Sequence, residues 1–163
     1  MIQVGFSTQT HNILSRMIRA VTKSRASHAW LLVDDSLFGC PLVLEATEVG
    51  IRLIPFKTFQ VKNTVVHLSP AHVEASMEVG LRAMSVALGN AYDFTGLFGM
   101  FFVYLGRLFR KKWRNPIRSS KAMFCSEFVC RVLQSARWPG AEALDPDSTS
   151  PEDLLVFIEG DAP

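Results

Sequence analysis

His28-Ala29-Trp30-Leu31-Leu32-Val33, Leu42-Val43-Leu44-Glu45-Ala46 and Ile51-Arg52-Leu53-Ile54 are three short runs rich in branched and aromatic residues. Each reads as a β-strand. Asp34, Asp35 and Ser36 turn the chain after the first run. Thr47-Glu48-Val49-Gly50 joins the second to the third, a hairpin connection with a glycine in it. Thr64–Leu68 is a further strand candidate. Upstream, Ile13, Leu14, Met17, Ile18 and Val21 recur at helical spacing, so residues 11–22 read as a helix with Arg16 and Arg19 turned outward. Downstream, Ser69-Pro70 opens a second helix, with Val73, Met77, Leu81, Met84 and Leu88 on one face and Gly89 as its stop. A third begins near Cys125, with Phe128, Val129, Val132, Leu133 and Ala136 as its apolar face and Pro139-Gly140 as its end. Ser150-Pro151-Glu152-Asp153 caps a last helix. Antiparallel strands with segregated helices make the expected class α+β, a small antiparallel sheet packed against helices.

At 163 residues the chain has the size of one domain, taken here as 1–163. A domain of that size buries roughly 70% of its unfolded surface and needs no covalent staples. The apolar content of 48% argues against disorder. A net charge of +2 does not by itself point to nucleic acid. The single basic run Lys111, Lys112, Trp113, Arg114 reads as a solvated face, and no nucleic-acid partner is expected. The three cysteines, Cys40, Cys125 and Cys130, are a poor disulfide framework and lack C-x-x-C spacing. No metal and no cofactor are expected. The start Met-Ile-Gln-Val-Gly-Phe lacks the basic-then-apolar pattern of a leader, so a cytoplasmic location is expected.

One stretch departs from ordinary globular usage. Phe94 to Gly106 contains no charge and crowds Phe98, Met100, Phe101, Phe102, Val103, Tyr104 and Leu105 together. It is shorter than the ~20 apolar residues of a membrane span. Arg107, Arg110, Lys111, Lys112 and Arg114 follow it. A buried helix with a solvated end is one reading. Peripheral membrane contact through residues 94–114 is the other, because apolar bulk beside cations suits an anionic bilayer surface.

Cys125 lies in Phe-Cys-Ser-Glu-Phe at the expected start of a helix. The thiolate is the nucleophile, and a helix N-terminus stabilises negative charge through its unpaired N–H groups. The same groups could bind an oxyanion. The competing reading is a small core residue, the role expected of Cys40 and Cys130. A nucleophilic thiol needs a base held by a third group. Of the four histidines, His28 opens a strand, where a sheet rim holds an imidazole rigidly. His67, also on a strand, is the reserve; His11 and His72 read as surface residues. Glu45 interrupts an apolar run, which is costly unless the carboxylate is paired. A bond to His28 would satisfy it and fix the imidazole tautomer. An edge strand with Glu45 in water is the alternative.

The order Ser27-His28, Leu44-Glu45-Ala46, Gly50-Ile51, Tyr92-Asp93, Cys125-Ser126-Glu127 resembles the circularly permuted NlpC-type cysteine peptidases, the YiiX-like group. Phe6-Ser7-Thr8, Ile18-Arg19 and Ser150-Pro151-Glu152-Asp153-Leu154 are similar to the ends of that group, so the likeness spans nearly the whole chain. It implies a permuted papain-like fold in which the His and acid strands precede the Cys helix. It also implies a Cys-His-Glu triad, with Cys125 as nucleophile, His28 as base and Glu45 as orienting acid. Tyr92 and Ser126 would line the substrate site. The substrate would be a peptide amide, including cell-wall peptides, or another acyl compound. The lecithin:retinol acyltransferase-like enzymes share the plan more distantly, and their Asn-Cys-Glu-His string is absent. The apolar-basic insert, about 94–118, departs from the family pattern. Through its 94–106 part, a lipid- or acyl-binding module or an acyltransferase-like enzyme is the alternative function.

Overall fold

The computed structural model of the chain describes residues 1–9, 12–34, 36–47, 50–70, 78–82 and 125–160. Five strands, β1 (Ile2–Thr8), β2 (His28–Val33), β3 (Leu42–Thr47), β4 (Gly50–Pro55) and β5 (Thr64–Leu68), form one sheet. Their order is β4-β3-β2-β1-β5 and every pairing is antiparallel. The helices are α1 (Ile13–Thr22), α2 (Phe56–Gln60), α3 (Cys125–Ser135) and α4 (Pro151–Gly160), with 3-10 turns at Ser36–Phe38 and Ala141–Ala143. Residues 78–82 are also helical. The fold is therefore mixed α+β, a small antiparallel sheet packed against helices. Among the described residues no helix is long and apolar enough to cross a membrane.

Side-chain alternation sorts the sheet into two faces. Ile2, Val4 and Phe6 of β1, Ala29 and Leu31 of β2, and Leu44 and Ala46 of β3 share the core with α3 and α4, through Phe128, Val129, Val132, Leu133, Leu154, Leu155 and Ile158. The opposite face carries a smaller cluster, Trp30, Leu32, Val43 and Phe59, with α2 laid over it. His28 and Glu45 belong to this second face by the same alternation: Leu32 pairs with Val43, and both are two residues or a multiple of two from the polar pair.

The strands β2, β3 and β4 fall where their runs predict, within a residue at each end. β1 is an addition. Its alternation of Ile2, Val4 and Phe6 with Gln3, Gly5 and Ser7 is a strand pattern, and the strand lies between β2 and β5. Gly5 is required there, because a Cβ would stand 2.5 Å from the Trp30 ring that lies across it.

Three expectations for the helices are corrected. Arg19 does not face outward: its Nη1 reaches Thr8 Oγ1 at 3.5 Å and its Nε the Ser24 carbonyl at 3.4 Å. Ile13, in contrast, is exposed. Ser15 of α1 is buried, and its hydroxyl lies 3.3 Å from Thr8 Oγ1 and 2.6 Å from Ser27 Oγ, so polar bonds take part in docking α1. The helix expected to open at Ser69-Pro70 is described only over residues 78–82, and its first turn and the Val73, Met77, Met84, Leu88 and Gly89 positions lie outside the described residues. Ser69 Oγ accepts from the Val4 N–H at 2.9 Å, tying the end of β5 to β1. α3 ends at Ser135, before Pro139-Gly140; Arg137 takes a left-handed φ of 54° and Trp138 N–H bonds back to Leu133 O at 2.9 Å. The expected cap of α4 is present: Asp153 N–H donates to Ser150 Oγ at 3.0 Å and Ser150 N–H to Asp153 Oδ2 at 2.9 Å.

Gly80 marks a close approach. A Cβ there would lie 2.5 Å from the Val132 carbonyl oxygen, which already accepts from Ala136 N–H. Backbone inside α3 cannot yield as a side-chain tip can. Gly80→Ala is expected to lower stability by about 1–3 kcal/mol, the usual cost of overpacking. Urea unfolding midpoints of the two proteins measure it, and equal midpoints would contradict the close packing.

Candidate active site

The site is assembled where the first residue of β2, the middle of β3 and the first turn of α3 meet. His28 is cross-strand from Ser7, and its ring stacks on Phe59 of α2 with centroids 6.3 Å apart. Its Nε2 is 2.6 Å from Glu45 Oε2. Glu45 is 2% exposed, and β3 has β2 on one side and β4 on the other. The edge-strand alternative is thereby excluded. The second carboxylate oxygen, Oε1, accepts from Arg52 Nε at 2.9 Å and lies 2.8 Å from its Nη2. Arg52 is the β4 partner of Glu45.

Cys125 opens α3 and is 8% exposed. The His28 ring and the backbone N–H groups of Ala29 and Ser126 surround its sulfur closely enough to act on its charge. With Nε2 directed at Glu45, Nδ1 is the ring nitrogen that remains for the sulfur. Thiol, imidazole and carboxylate thus form one connected series, as a nucleophile, its base and an orienting group would.

The electrostatics follow from that series. Burial pushes the Cys125 pKa up, but the charge and hydrogen bond of His28 and the two backbone N–H groups outweigh it and hold the thiol below its ordinary value. Burial pushes the His28 pKa down, yet the charge and hydrogen bond of Cys125, and then those of Glu45, raise it to about 10. Burial would also raise Glu45; His28 first, then Arg52, hold it below the usual carboxylate range. Both directions favour the thiolate–imidazolium form of the pair over the neutral one.

No protein-family model matches the chain, and no curated protein matches it either.

The other expected site residues fall in different places. Ser126 is buried, and its hydroxyl donates to the Thr149 carbonyl at 2.8 Å, so the side chain braces α3 and faces no substrate. What Ser126 offers the sulfur is its backbone N–H. Tyr92, the 94–118 insert, His11 and His72 lie outside the described residues. His67 sits on the edge strand β5, with Nδ1 3.8 Å from Glu159 and its ring against Phe6. Cys130 is a core residue, and burial, as the largest cause, raises its pKa to about 11. Cys40 is not a core residue; it is exposed in the turn after Gly39, whose φ is 65°. A cavity of about 580 Å³ between Gln134, Arg137, Trp138, Pro139 and Glu142 lies at the far end of α3, ~15 Å from Cys125 by the helical rise. It belongs to no part of the site. Among the described residues no group of three His, Cys, Asp or Glu could hold a metal ion.

Arg52, Phe59 and Ser7 are additions to the expected set. Arg52 had a usable signal: in a hairpin where Thr47 pairs Gly50, residue 45 must pair 52. Phe59 lies in a five-residue helix with no periodicity to read. Ser7 is fully buried beside His28, and its hydroxyl has no partner among the described residues.

Proposed function

We propose that the chain is a cysteine hydrolase with a permuted papain-like, NlpC-type plan. The observation that supports this reading most is the 2.6 Å contact of Glu45 with one nitrogen of an imidazole that also acts on the charge of the Cys125 sulfur. The Cys125 thiolate attacks the carbonyl carbon of an amide or ester, forming a C–S bond and placing the carbonyl electron pair on oxygen. Backbone N–H groups at the start of α3, including that of Cys125, bind this oxyanion. As the intermediate collapses, the C–N or C–O bond breaks and His28 protonates the departing amine or alcohol. Water, deprotonated by His28, then attacks the thioester and releases the acid and the thiolate. Glu45 keeps the imidazole in one tautomer and orientation throughout. A peptide amide, including a cell-wall peptide, is the first substrate class.

A second reading is acyl transfer or acyl binding. It is favoured by the uncharged 94–106 run and by two exposed aliphatic residues near the His28 rim, Ile13 and Val61. Asn12 bonds Gln9, and Gln9 bonds Asn63, which ties the two neighbourhoods together.

Alkylation of Cys125 by iodoacetamide, followed by mass spectrometry across pH, tests the hydrolase reading. Cys125 is expected to react at pH values below its ordinary titration, because its folded pKa is lowered. Turnover should decline as pH rises through about 10, where His28 loses the proton it gives the leaving group. Reaction of Cys125 only near the ordinary ~8.5 of a free thiol would end the proposal.

A further inference from the structure

The carboxylate of Glu45 has two oxygens to satisfy in a place with almost no water: its side chain is 3% exposed. Oε2 faces His28. Oε1 would be an unpaired charged acceptor without Arg52, a costly state for a buried group. Arg52 supplies Nε at 2.9 Å and Nη2 at 2.8 Å, both to Oε1. Two donors on one planar fork converge on that single oxygen and fix its direction as well as its distance. The hairpin register sets Arg52 directly across from Glu45, so the fork arrives along the sheet face on which the imidazole sits.

In the thiolate–imidazolium form of the pair, the result is a row of alternating charge: guanidinium, carboxylate, imidazolium, thiolate. It runs from a half-exposed end at Arg52 to a buried end at Cys125. An exposed ion pair contributes little, but here one partner is buried and bonded to the base. We propose that Arg52 is a positioning residue of this site, locking the Glu45 carboxylate onto His28 so that the imidazole stays aligned with the Cys125 sulfur. The proposal rests on the hydrolase reading above.

Without the fork, Glu45 takes up a proton more readily and is free to turn away. Either change weakens the imidazolium and returns the proton to the sulfur. The test compares wild type, Arg52→Gln, Arg52→Lys and His28→Ala by the pH dependence of Cys125 alkylation, with circular dichroism as the check on folding. Arg52→Gln should move the acid limb to higher pH and slow alkylation at pH 6 by about tenfold, the order of one lost charge-assisted bond. Arg52→Lys keeps charge without the fork and should fall between the two. A folded Arg52→Gln, or Arg52→Lys should Arg52→Gln not fold, with the wild-type pH profile overturns the positioning role. In that case the hydrolase reading survives if His28→Ala still abolishes low-pH alkylation. A wild-type protein without low-pH alkylation overturns both.

Discussion

Cys125→Ala is expected to abolish hydrolysis, with a loss of roughly 10³-fold or more. In the proposed mechanism Cys125 forms the covalent intermediate, so its removal leaves only the contribution of binding and of the oxyanion donors. The fold should survive, since only a small sulfur atom is removed from a residue that is 8% exposed. His28→Ala should cost nearly as much, through a different route. Without the imidazolium, burial is the largest influence on the Cys125 sulfur, and it raises the thiol pKa. The two losses should not multiply in the double variant, because both residues act in one step. Steady-state hydrolysis of a panel of acyl-peptide amides and simple esters measures this. Turnover by purified Cys125→Ala at the wild-type rate would sink the mechanism.

Trp30→Ala should be the most damaging single change to stability. Trp30 is fully buried on the smaller face of the sheet, 4.7 Å from Phe59 and 5.8 Å from Phe56 by ring centroids. Truncating a buried aromatic residue of this size costs about 3–5 kcal/mol. In a domain of this length that is a fall in Tm on the order of 10 °C. Trp30→Phe should cost far less. It retains a ring and removes an indole N–H that is buried without a partner among the described residues. Calorimetry on both variants decides the matter, and equal Tm values for Trp30→Ala and wild type would contradict the packing. Phe59 touches both Trp30 and His28, so Trp30→Ala should also loosen the wall behind the imidazole.

Local chemistry explains which parts of this fold could be read early. The hairpin β3–β4 announces itself through branched residues on both sides of Gly50, and the α4 cap through Ser150 and Asp153 three residues apart. The start of α3 at Cys125 was legible because Phe128, Val129, Val132 and Leu133 recur on one face. β1 was harder: Gly5 and Ser7 dilute its alternation, and its place between β2 and β5 depends on partners far along the chain. Ser126 misled for a related reason. Its neighbour is the candidate nucleophile, yet only the tertiary position of Thr149 shows where its hydroxyl goes. Arg19 is harder to place because spacing alone cannot show the hydroxyl of Thr8 and the carbonyl of Ser24 that its guanidinium reaches.

The spacing of the cysteines along α3 also bears on oxidative chemistry. Five residues separate Cys125 from Cys130, about 7.5 Å along the helix axis, beyond the ~7 Å within which two cysteines can be bridged. Cys40 stands at the Val33 end of β2, ~17 Å away from the His28 end where Cys125 lies. Among the described residues a sulfenic acid on residue 125 therefore has no resolving thiol within reach, and its return to the reduced form calls for a thiol from elsewhere.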